Sequence, residues 1–394
     1  MEGRLALYDT MSGKAEVFRP RSPPRVSMFV CGPTVQSRMH LGHARTYVFY
    51  DALARYLRHL GYDLFYLMNI TDIDETITKA AGRVREGPLE YAARMSADFL
   101  SDLKSLKMTQ VDRFESVSSH VDEMIDQVSS LVSGGFAYEA GRWVYFDTTK
   151  FPRWGRLSHQ SKRELSLRPL ELSPEKRNLS DFALWRPEAL VDGRWRSPWG
   201  VGSPGWHIQD TAVTLPILGS QYDLHGGALE LVYPHHEAEI AQGESLTGVH
   251  PLVRHWVHTN LLNMEGQKMS KSLGNVITVS DALRSCSADL LRFYFLSIHY
   301  RREADLSGMG ATRFRLGRIR DLANQFGGED REEGAIPAFE RYLDDDFDAP
   351  SAIDWAERSL RSAARTGDRD EARALAGPAI RGMKILGVDL FEKS

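Results

Sequence analysis

The feature that most constrains the fold is an apolar strand, a helix and a second apolar strand in direct succession. The run VSMFVC, residues 26–31, is short and rich in β-forming residues, and it stops at Gly32-Pro33. Over residues 42–61, apolar side chains recur mostly three and four positions apart, as in an amphipathic helix. The apolar run LFYLMN follows at residues 64–69. Because strand, helix and strand form the unit of parallel sheets, this segment predicts an α/β fold of the nucleotide-binding type.

The rest of the chain is predicted to complete this sheet around an insertion. FAYEAGRWVYFDT predicts a hairpin turning at Ala140-Gly141, and YDLHGG and LELVYP predict further strands. Residues 75–132 contain few helix breakers and are predicted to be helical, as is almost everything beyond residue 280. The expected regions are an α/β domain of the nucleotide-binding type in two halves at 1–114 and 205–278, an insertion at 115–204, and an α-helical bundle at 279–394.

Charge and composition exclude several classes of protein. The chain has 49 basic and 53 acidic residues, so a nucleic-acid or membrane partner would have to be held by a local patch. It contains two cysteines, Cys31 and Cys286, and its first residues show no basic and apolar leader, which favours a reducing cytoplasmic setting. Since no apolar run approaches the ~18 residues that span a bilayer, we expect no membrane segment.

The motif HLGH, residues 40–43, lies between the first strand and its helix. A glycine at a helix N-terminus lets a phosphate approach backbone NH groups and the positive end of the helix dipole. Imidazoles on either side can donate hydrogen bonds to phosphate oxygens. The alternative interpretation is a pair of surface histidines near a turn.

The segment KMSKSLGN, residues 268–275, places two lysines on a loop that also contains serine and glycine. Such lysines can close on a polyphosphate and neutralise the charge that develops on departing pyrophosphate. The alternative interpretation is a solvated basic loop. Taken together, the two motifs predict a site for ATP.

HLGH and KMSKS resemble the HIGH and KMSKS motifs of class I aminoacyl-tRNA synthetases, which bind ATP on a split Rossmann-like domain. The resemblance extends to cysteinyl-tRNA synthetases over most of residues 28–353. It implies a ligase that adenylates cysteine with ATP and Mg²⁺ and passes it to the 3′-terminal ribose of tRNA. The segments that carry it, in order, are FVCGPTV, HLGHARTYVFYDALARYLRHLGY, NITDIDETI, DFALWRP, SPWGVGSPGWHI, PHHEAEIAQ, KMSKSLGN and DAPSAI.

The resemblance also implies roles for individual residues. His40 and His43 would stabilise the transition state at the triphosphate, and Lys268 and Lys271 would close on it. Glu230 would hold the adenosine ribose. The expected ATP contacts are completed by Gly42 and Ser270, and the expected amino-acid pocket is Gly32, Thr34, Thr71 and Trp206.

A metal site is implied by the same resemblance. A cysteine, with a histidine and a glutamate four residues apart on one helical face, can bind zinc. Here these residues are Cys31, His235 and Glu239, and the zinc would bind the substrate thiolate directly. The family has a Glu-Cys pair after GWHI where this chain has Gln209-Asp210, so Asp210 would be an oxygen ligand and a harder one. Alternatively, Cys31 is a small buried hydrophobe.

The C-terminal region leaves the acceptor open. The chain ends soon after the predicted bundle, whereas the family continues into an anticodon-binding domain, and residues 313–394 carry 14 basic and 17 acidic residues. Arg313, Arg315, Arg318 and Arg320 are expected to form a positive strip for a tRNA acceptor stem. The protein is expected to be a monomer. One alternative is an ATP-dependent ligase that passes cysteine or another amino acid to a small-molecule amine, as in mycothiol synthesis. Another is a non-catalytic paralogue.

Overall fold

The computed structural model describes residues 4–166, 170, 175–187, 195–269, 276–327 and 336–391. The strands in these ranges are β1 (Ala6–Asp9), β2 (Lys14–Val17), β3 (Arg25–Val30), β4 (Asp63–Ile70), β5 (Arg113–Ser116), β6 (Ala137–Ala140), β7 (Trp143–Phe146), β8 (Phe182–Arg186), β9 (Trp195–Ser197), β10 (Gly200–Pro204), β11 (Tyr222–Ala228), β12 (Val253–Thr259), β13 (Leu262–Met264), β14 (Gln267–Lys268) and β15 (Ala304–Asp305). The helices are α1 (Leu41–His59), α2 (Glu75–Val84), α3 (Pro88–Ser105), α4 (Val121–Ser133), α5 (Lys162–Ser166), α6 (Gln209–Leu218), α7 (Glu237–Thr247), α8 (Val279–Ala282), α9 (Ala288–Leu296), α10 (Met309–Ala323), α11 (Pro337–Leu343), α12 (Ala349–Ala363) and α13 (Arg369–Ile385).

The centre of the molecule is a five-stranded parallel sheet in the order β12-β11-β3-β4-β5. The predicted strand-helix-strand unit is confirmed as β3, α1 and β4. From β3 the chain builds the sheet outward through β4 and β5, and it returns to the other side of β3 with β11. The strand order therefore reverses between β3 and β11. In open α/β sheets, ligands bind at the carboxyl ends of the strands beside such a reversal.

A second sheet lies between β5 and β11 in the chain. It is antiparallel, in the order β6-β7-β8-β10-β9, and β6 and β7 form the predicted hairpin. Its apolar face shares a core with α4, α6 and α7, which cover one side of the parallel sheet. The insertion is thereby fixed to the parallel sheet by packing.

The C-terminal helices share a core with the parallel sheet through α1. That cluster of buried side chains runs from Met28 on β3, through Tyr47 and Leu53 on α1, to Leu291 on α9 and Ile353 on α12. Within it, Arg292 on α9 is fully buried and donates to Asp51 on α1 at 2.7 Å. None of the helices in the described ranges has the length and apolar character needed to cross a membrane.

Two local predictions were wrong. The segment LELVYP does not form a strand, because residues 229–236 wind into a 3₁₀ turn and a π-helical turn after β11 leaves the sheet. Residues 75–132 are not wholly helical, because β5 pairs with β4 and crosses the predicted boundary at residue 114. A short apolar run cannot be assigned to strand or helix by periodicity alone, and the edge strand RFES has no apolar alternation that would reveal it.

Candidate functional site

The HLGH motif forms the N-terminus of α1. The Nδ1 atom of His40 accepts the backbone NH of His43 at 3.4 Å, so His40 is the N-cap. The rings of the two histidines stack with their centroids 3.7 Å apart. A Cβ atom on Gly42 would lie 2.9 Å from His40 Nδ1, so glycine keeps this ring in place. The result is a helix N-terminus lined by two imidazoles, an arrangement suited to a polyphosphate.

The segment that follows the KMSKS motif is tied to this helix end. The backbone NH of Leu41 donates to Ile277 at 3.0 Å, and the NH of Val279 donates to Met39 at 2.9 Å. Within the motif, Met269 is buried in the same core as these residues. The fold therefore brings the two motifs together, although they are more than 200 residues apart in the sequence. Lys268 is the last residue of β14, and Ser270 and Lys271 lie outside the described residues.

The predicted amino-acid pocket begins where β3 and β4 end. Gly32 donates its NH to the side chain of Asn69 at 2.7 Å, and Thr34 bridges to Thr71, which is buried. Trp206 stacks on His235 with the ring centroids 4.3 Å apart. The residues predicted to form the pocket thus lie at the carboxyl ends of the parallel strands, beside the candidate metal ligands.

We expect Gly32→Ala to destabilise the fold by about 1–3 kcal/mol or more, because overpacked atoms must displace their neighbours. The new Cβ would lie 1.6 Å from the backbone oxygen of Asn69, which cannot rotate away as a side chain could. Gly317→Ala is the matched control, since nothing lies within 4 Å of a Cβ there. In that exposed helix position alanine should stabilise by about 0.5–1 kcal/mol. The measurement is urea unfolding, and equal stability of the two variants would contradict the close approach at Gly32.

The four predicted metal ligands come together in the buried core beside this pocket. Ligand atoms of Cys31, Asp210, His235 and Glu239 all lie within 4.8 Å of one another. Cys31 Sγ is 3.1 Å from Asp210 Oδ2, and that oxygen is 3.1 Å from His235 Nε2. His235 Nε2 lies 3.4 Å from Glu239 Oε1. These separations are close to the roughly 3.3–3.6 Å between ligand atoms around a tetrahedral zinc.

The structure adds two histidines that the sequence prediction missed. The Nε2 atoms of His225 and His236 lie 3.3 and 3.1 Å from Cys31 Sγ. With Cys31 and Glu239 they form a second group of four potential ligands within 4.8 Å of one another. The signal in the sequence was the doubled histidine of PHHEAE and the HGG that ends β11, but only the fold reveals which of these imidazoles face Cys31.

The ligand side chains are oriented by hydrogen bonds to those of their atoms that do not face the cluster. Asn69 donates to Asp210 Oδ1 at 2.8 Å, which leaves Oδ2 for the cluster. The Nδ1 atoms of His235 and His207 lie 3.0 Å apart, which leaves His235 Nε2 directed at Asp210 and Glu239. Such outer contacts are typical of metal-binding histidines and carboxylates.

Burial dominates the acid-base chemistry of the cluster. Burial, and then the nearby Asp210 and Glu239, raise the pKa of the Cys31 thiol well above its usual range. Burial and Asp210 also raise the pKa of Glu239. Burial lowers the pKa of His225 and His236, so both imidazoles are neutral at pH 7, the form that binds metals. Glu239 Oε2 is buried without a hydrogen-bond partner. A divalent cation would satisfy this oxygen and stabilise the thiolate, so the residues fit a zinc ion.

The remaining predicted residues lie further out. Glu230 is exposed in the 3₁₀ turn that follows β11, at the carboxyl edge of the sheet. The predicted arginine strip was wrong: Arg320 is buried against Asp289 at 2.9 Å, and Arg315 pairs with Glu357 at 2.8 Å, while the other two arginines are exposed. At about 100° per residue, Arg313 and Arg320 lie on one side of α10 and Arg315 and Arg318 on another, so the four do not share one helix face.

Comparison with solved structures shows the same fold. A Mycobacterium tuberculosis methionyl-tRNA synthetase in complex with methionyl-adenylate matches with a TM-score of 0.64 and 16% identity, over 92% of this chain and 90% of that chain. A LeuRS-tRNA-LeuAMS complex of Agrobacterium radiobacter matches with a TM-score of 0.67 and 12% identity, over 94% of this chain and 84% of that chain. At these identities the likeness concerns the fold alone.

Comparison of sequences identifies the family. The model "tRNA synthetases class I (C) catalytic domain" matches residues 17–312. The chain is 39% identical to the cysteine--tRNA ligase of Thermoplasma acidophilum, over 89% of this chain and 79% of the relative. It is 38% identical to that of Pelotomaculum thermopropionicum, over 99% of this chain and 84% of the relative. The chain therefore belongs to the cysteine--tRNA ligase family of class I aminoacyl-tRNA synthetases.

Proposed function

We propose that the protein activates cysteine with ATP and joins it to tRNA. In the first step the cysteine carboxylate attacks the α-phosphate of ATP, and pyrophosphate leaves. In the second step the 3′-terminal ribose hydroxyl of the tRNA attacks the acyl carbon, and AMP leaves. The observation that supports this best is the junction at which Met39 and Leu41 bond to Val279 and Ile277, because it joins both ATP motifs at one edge of the parallel sheet.

His40 and His43 stabilise the triphosphate in this proposal. Their rings and the first NH groups of α1 face the same end of the helix, so donors and helix dipole act on one anion. Lys268 and Lys271, with Ser270, neutralise the charge that builds on the β- and γ-phosphates as the bond to the α-phosphate breaks. Mg²⁺ bound with ATP would supply further positive charge there, and Gly42 admits the phosphates to the backbone. Glu230 binds the adenosine ribose.

The amino acid lies against Gly32, Thr34, Thr71 and Trp206 in this proposal. Thr71 is buried and Thr34 half-buried, and they bridge at the ends of β3 and β4, which gives a rigid floor to the pocket. Trp206 stacks on His235, so the pocket is closed on one side by an aromatic ring. A pocket so placed holds the carboxylate near the first turn of α1.

Zinc is the metal we propose for Cys31, Asp210, His235 and Glu239. When bound, it supplies a Lewis acid that favours the thiolate of cysteine over the hydroxyl of serine. Asn69 and His207 keep Asp210 and His235 turned toward the site. The oxygen of Asp210, in place of the family's sulfur, makes the donor set harder.

The tRNA acceptor stem is the proposed second substrate, and the C-terminal helices are the elements beside the catalytic sheet that it would pass. We place the reaction in the cytoplasm, with the protein acting as a monomer. Both cysteines are free thiols, as expected in a reducing compartment.

Amino-acid-dependent exchange of pyrophosphate into ATP tests the first step, and charging of tRNA tests the second. We expect cysteine to support exchange at least 10²-fold faster than serine, since a site built for one polar group rejects its analogue strongly. We expect tRNA to be charged at a comparable rate. Exchange without charging would point to a small-molecule amine as acceptor. Absence of exchange with every amino acid would overturn the proposed function.

A further inference from the structure

We propose that a groove at the amino ends of β3 and β4 binds a free α-amino acid with an apolar side chain. The groove has a volume of about 350 Å³. Because the HLGH motif follows the carboxyl end of β3, the groove lies at the opposite end of the parallel sheet from the ATP motifs. This proposal concerns binding and does not rest on the ligase activity.

One part of the groove is apolar. Phe65 on β4, and Ile217 and Leu218 at the end of α6, are half-buried and pack against the core that α6 shares with the sheet. The same three side chains line the groove, where part of their surface is in contact with water. Removal of such surface from water is favourable, so this part of the groove suits an apolar group.

A buried carboxylate fixes the shape of the groove. Asp223 on β11 accepts the backbone NH of Arg21 at 2.6 Å, and it accepts the NH and the Oγ of Ser27 at 2.9 Å each. The guanidinium of Arg21 donates to the backbone oxygen of Gln221 at 3.0 Å. These bonds tie the segment before β3 to β11. The groove is therefore formed before a ligand binds, which lowers the cost of binding.

Two side chains of opposite charge remain available at the groove. Arg25 and Asp63 are paired in the register of β3 and β4, and they lie on the same face of the sheet as Phe65. Both are exposed, and within the described part of the chain neither side chain takes part in a hydrogen bond or an ion pair. Since neighbouring strands are about 4.8 Å apart, one small ligand can contact both side chains.

A free amino acid matches this combination of charges and apolar surface. Its carboxylate would pair with Arg25, whose guanidinium can donate two parallel hydrogen bonds to it. Its ammonium would pair with Asp63, and its side chain would cover Phe65. A simple anion such as phosphate would be repelled by Asp63, and a simple cation would be repelled by Arg25. The groove therefore favours a ligand that carries both charges on one end and an apolar group on the other.

Equilibrium dialysis of the full-length protein against radiolabelled leucine tests the proposal. We expect one equivalent to bind, and we expect Arg25→Gln and Asp63→Asn each to weaken binding by about 10-fold or more, because each removes one charged contact. Arg19→Gln is the control, since Arg19 is exposed and is not among the residues that line the groove. Two analogues test the same contacts on the wild type. 4-Methylpentanoate lacks the ammonium and 3-methylbutylamine lacks the carboxylate, so both should compete less well than unlabelled leucine.

Several results would overturn the proposal. One is the absence of saturable binding up to about 10 mM leucine. Another is displacement of leucine by an excess of cysteine and ATP, which would place the leucine in the active site. Binding that sulfate displaces and that Asp63→Asn leaves unchanged would show a site for anions only. Should a variant fail to fold by circular dichroism, the analogues decide instead, and equal competition by 4-methylpentanoate and leucine would show that Asp63 does not bind the ammonium.

Discussion

Lys271→Ala is expected to slow cysteine-dependent ATP-pyrophosphate exchange by about 10²-fold or more, the scale on which loss of one positioned group aimed at transition-state charge slows catalysis. The reason is electrostatic. The negative charge that forms on departing pyrophosphate is largest in the transition state, so a lysine that meets it there raises the rate without tightening ATP binding. The loss should therefore appear in kcat rather than in the KM for ATP.

Lys14→Ala is the control for this experiment. Lys14 lies on β2, is largely exposed, and pairs with Glu16 at 3.7 Å. Its removal should leave the exchange rate within experimental error, because exposed ion pairs contribute little. An unchanged rate in Lys271→Ala, or equal losses in both variants, would contradict the role proposed for the KMSKS motif.

Arg292→Met is expected to lower the free energy of unfolding by about 3–5 kcal/mol, the range found when one partner of a buried ion pair is removed. Arg292 donates to Asp51 at 2.7 Å, and the two side chains are 0% and 2% exposed. The same guanidinium donates to the backbone oxygens of Leu106 at 3.3 Å and Leu386 at 2.9 Å. Its loss would leave two backbone oxygens without this donor, and would leave Asp51 with only the partly exposed Arg55, at 2.8 Å, as its ion-pair partner.

Urea unfolding of two further variants completes this test. Arg284→Met is the matched control, since its pair with Asp281 is exposed and should contribute at most about 1 kcal/mol. The double variant Asp51→Asn/Arg292→Met should be more stable than Arg292→Met alone, because the buried negative charge is then removed while a side-chain oxygen remains for the backbone NH groups of Thr109 and Gln110. If Arg292→Met and Arg284→Met unfold at the same urea concentration, the buried pair does not join α1 to α9 as described.

Much of the fold follows from local sequence. The unit of β3, α1 and β4 is encoded by two short apolar runs and the helical spacing between them within 26–70, and the hairpin of β6 and β7 by its turn. The meeting of HLGH with KMSKS was inferred from resemblance to a family, since no local pattern links them. The antiparallel pairing of His40 with Thr278 is the tertiary contact behind it.

The features that the sequence did not predict are those that depend on contacts between residues far apart in the chain. His225 reaches Cys31 because β11 pairs with β3 in one register, and His236 does so because a π-helical turn follows β11. LELVYP gives no local sign of that turn. The prediction of an arginine strip was wrong for a related reason. Arg320 donates a hydrogen bond to Asp289, which lies on another helix and whose position a sequence pattern cannot give.

Helix α1 also connects the HLGH motif to the C-terminal helices. Its first turn carries His40 and His43, its middle carries Asp51, and near its end Tyr56 donates to Asp344 at 2.6 Å. Its 19 residues make a rod about 28 Å long. No layer of solvent separates this rod from the C-terminal helices, because both lie in one apolar core. We therefore expect a displacement of those helices, as on docking of a macromolecule, to move α1 and the histidines at its N-terminus with them.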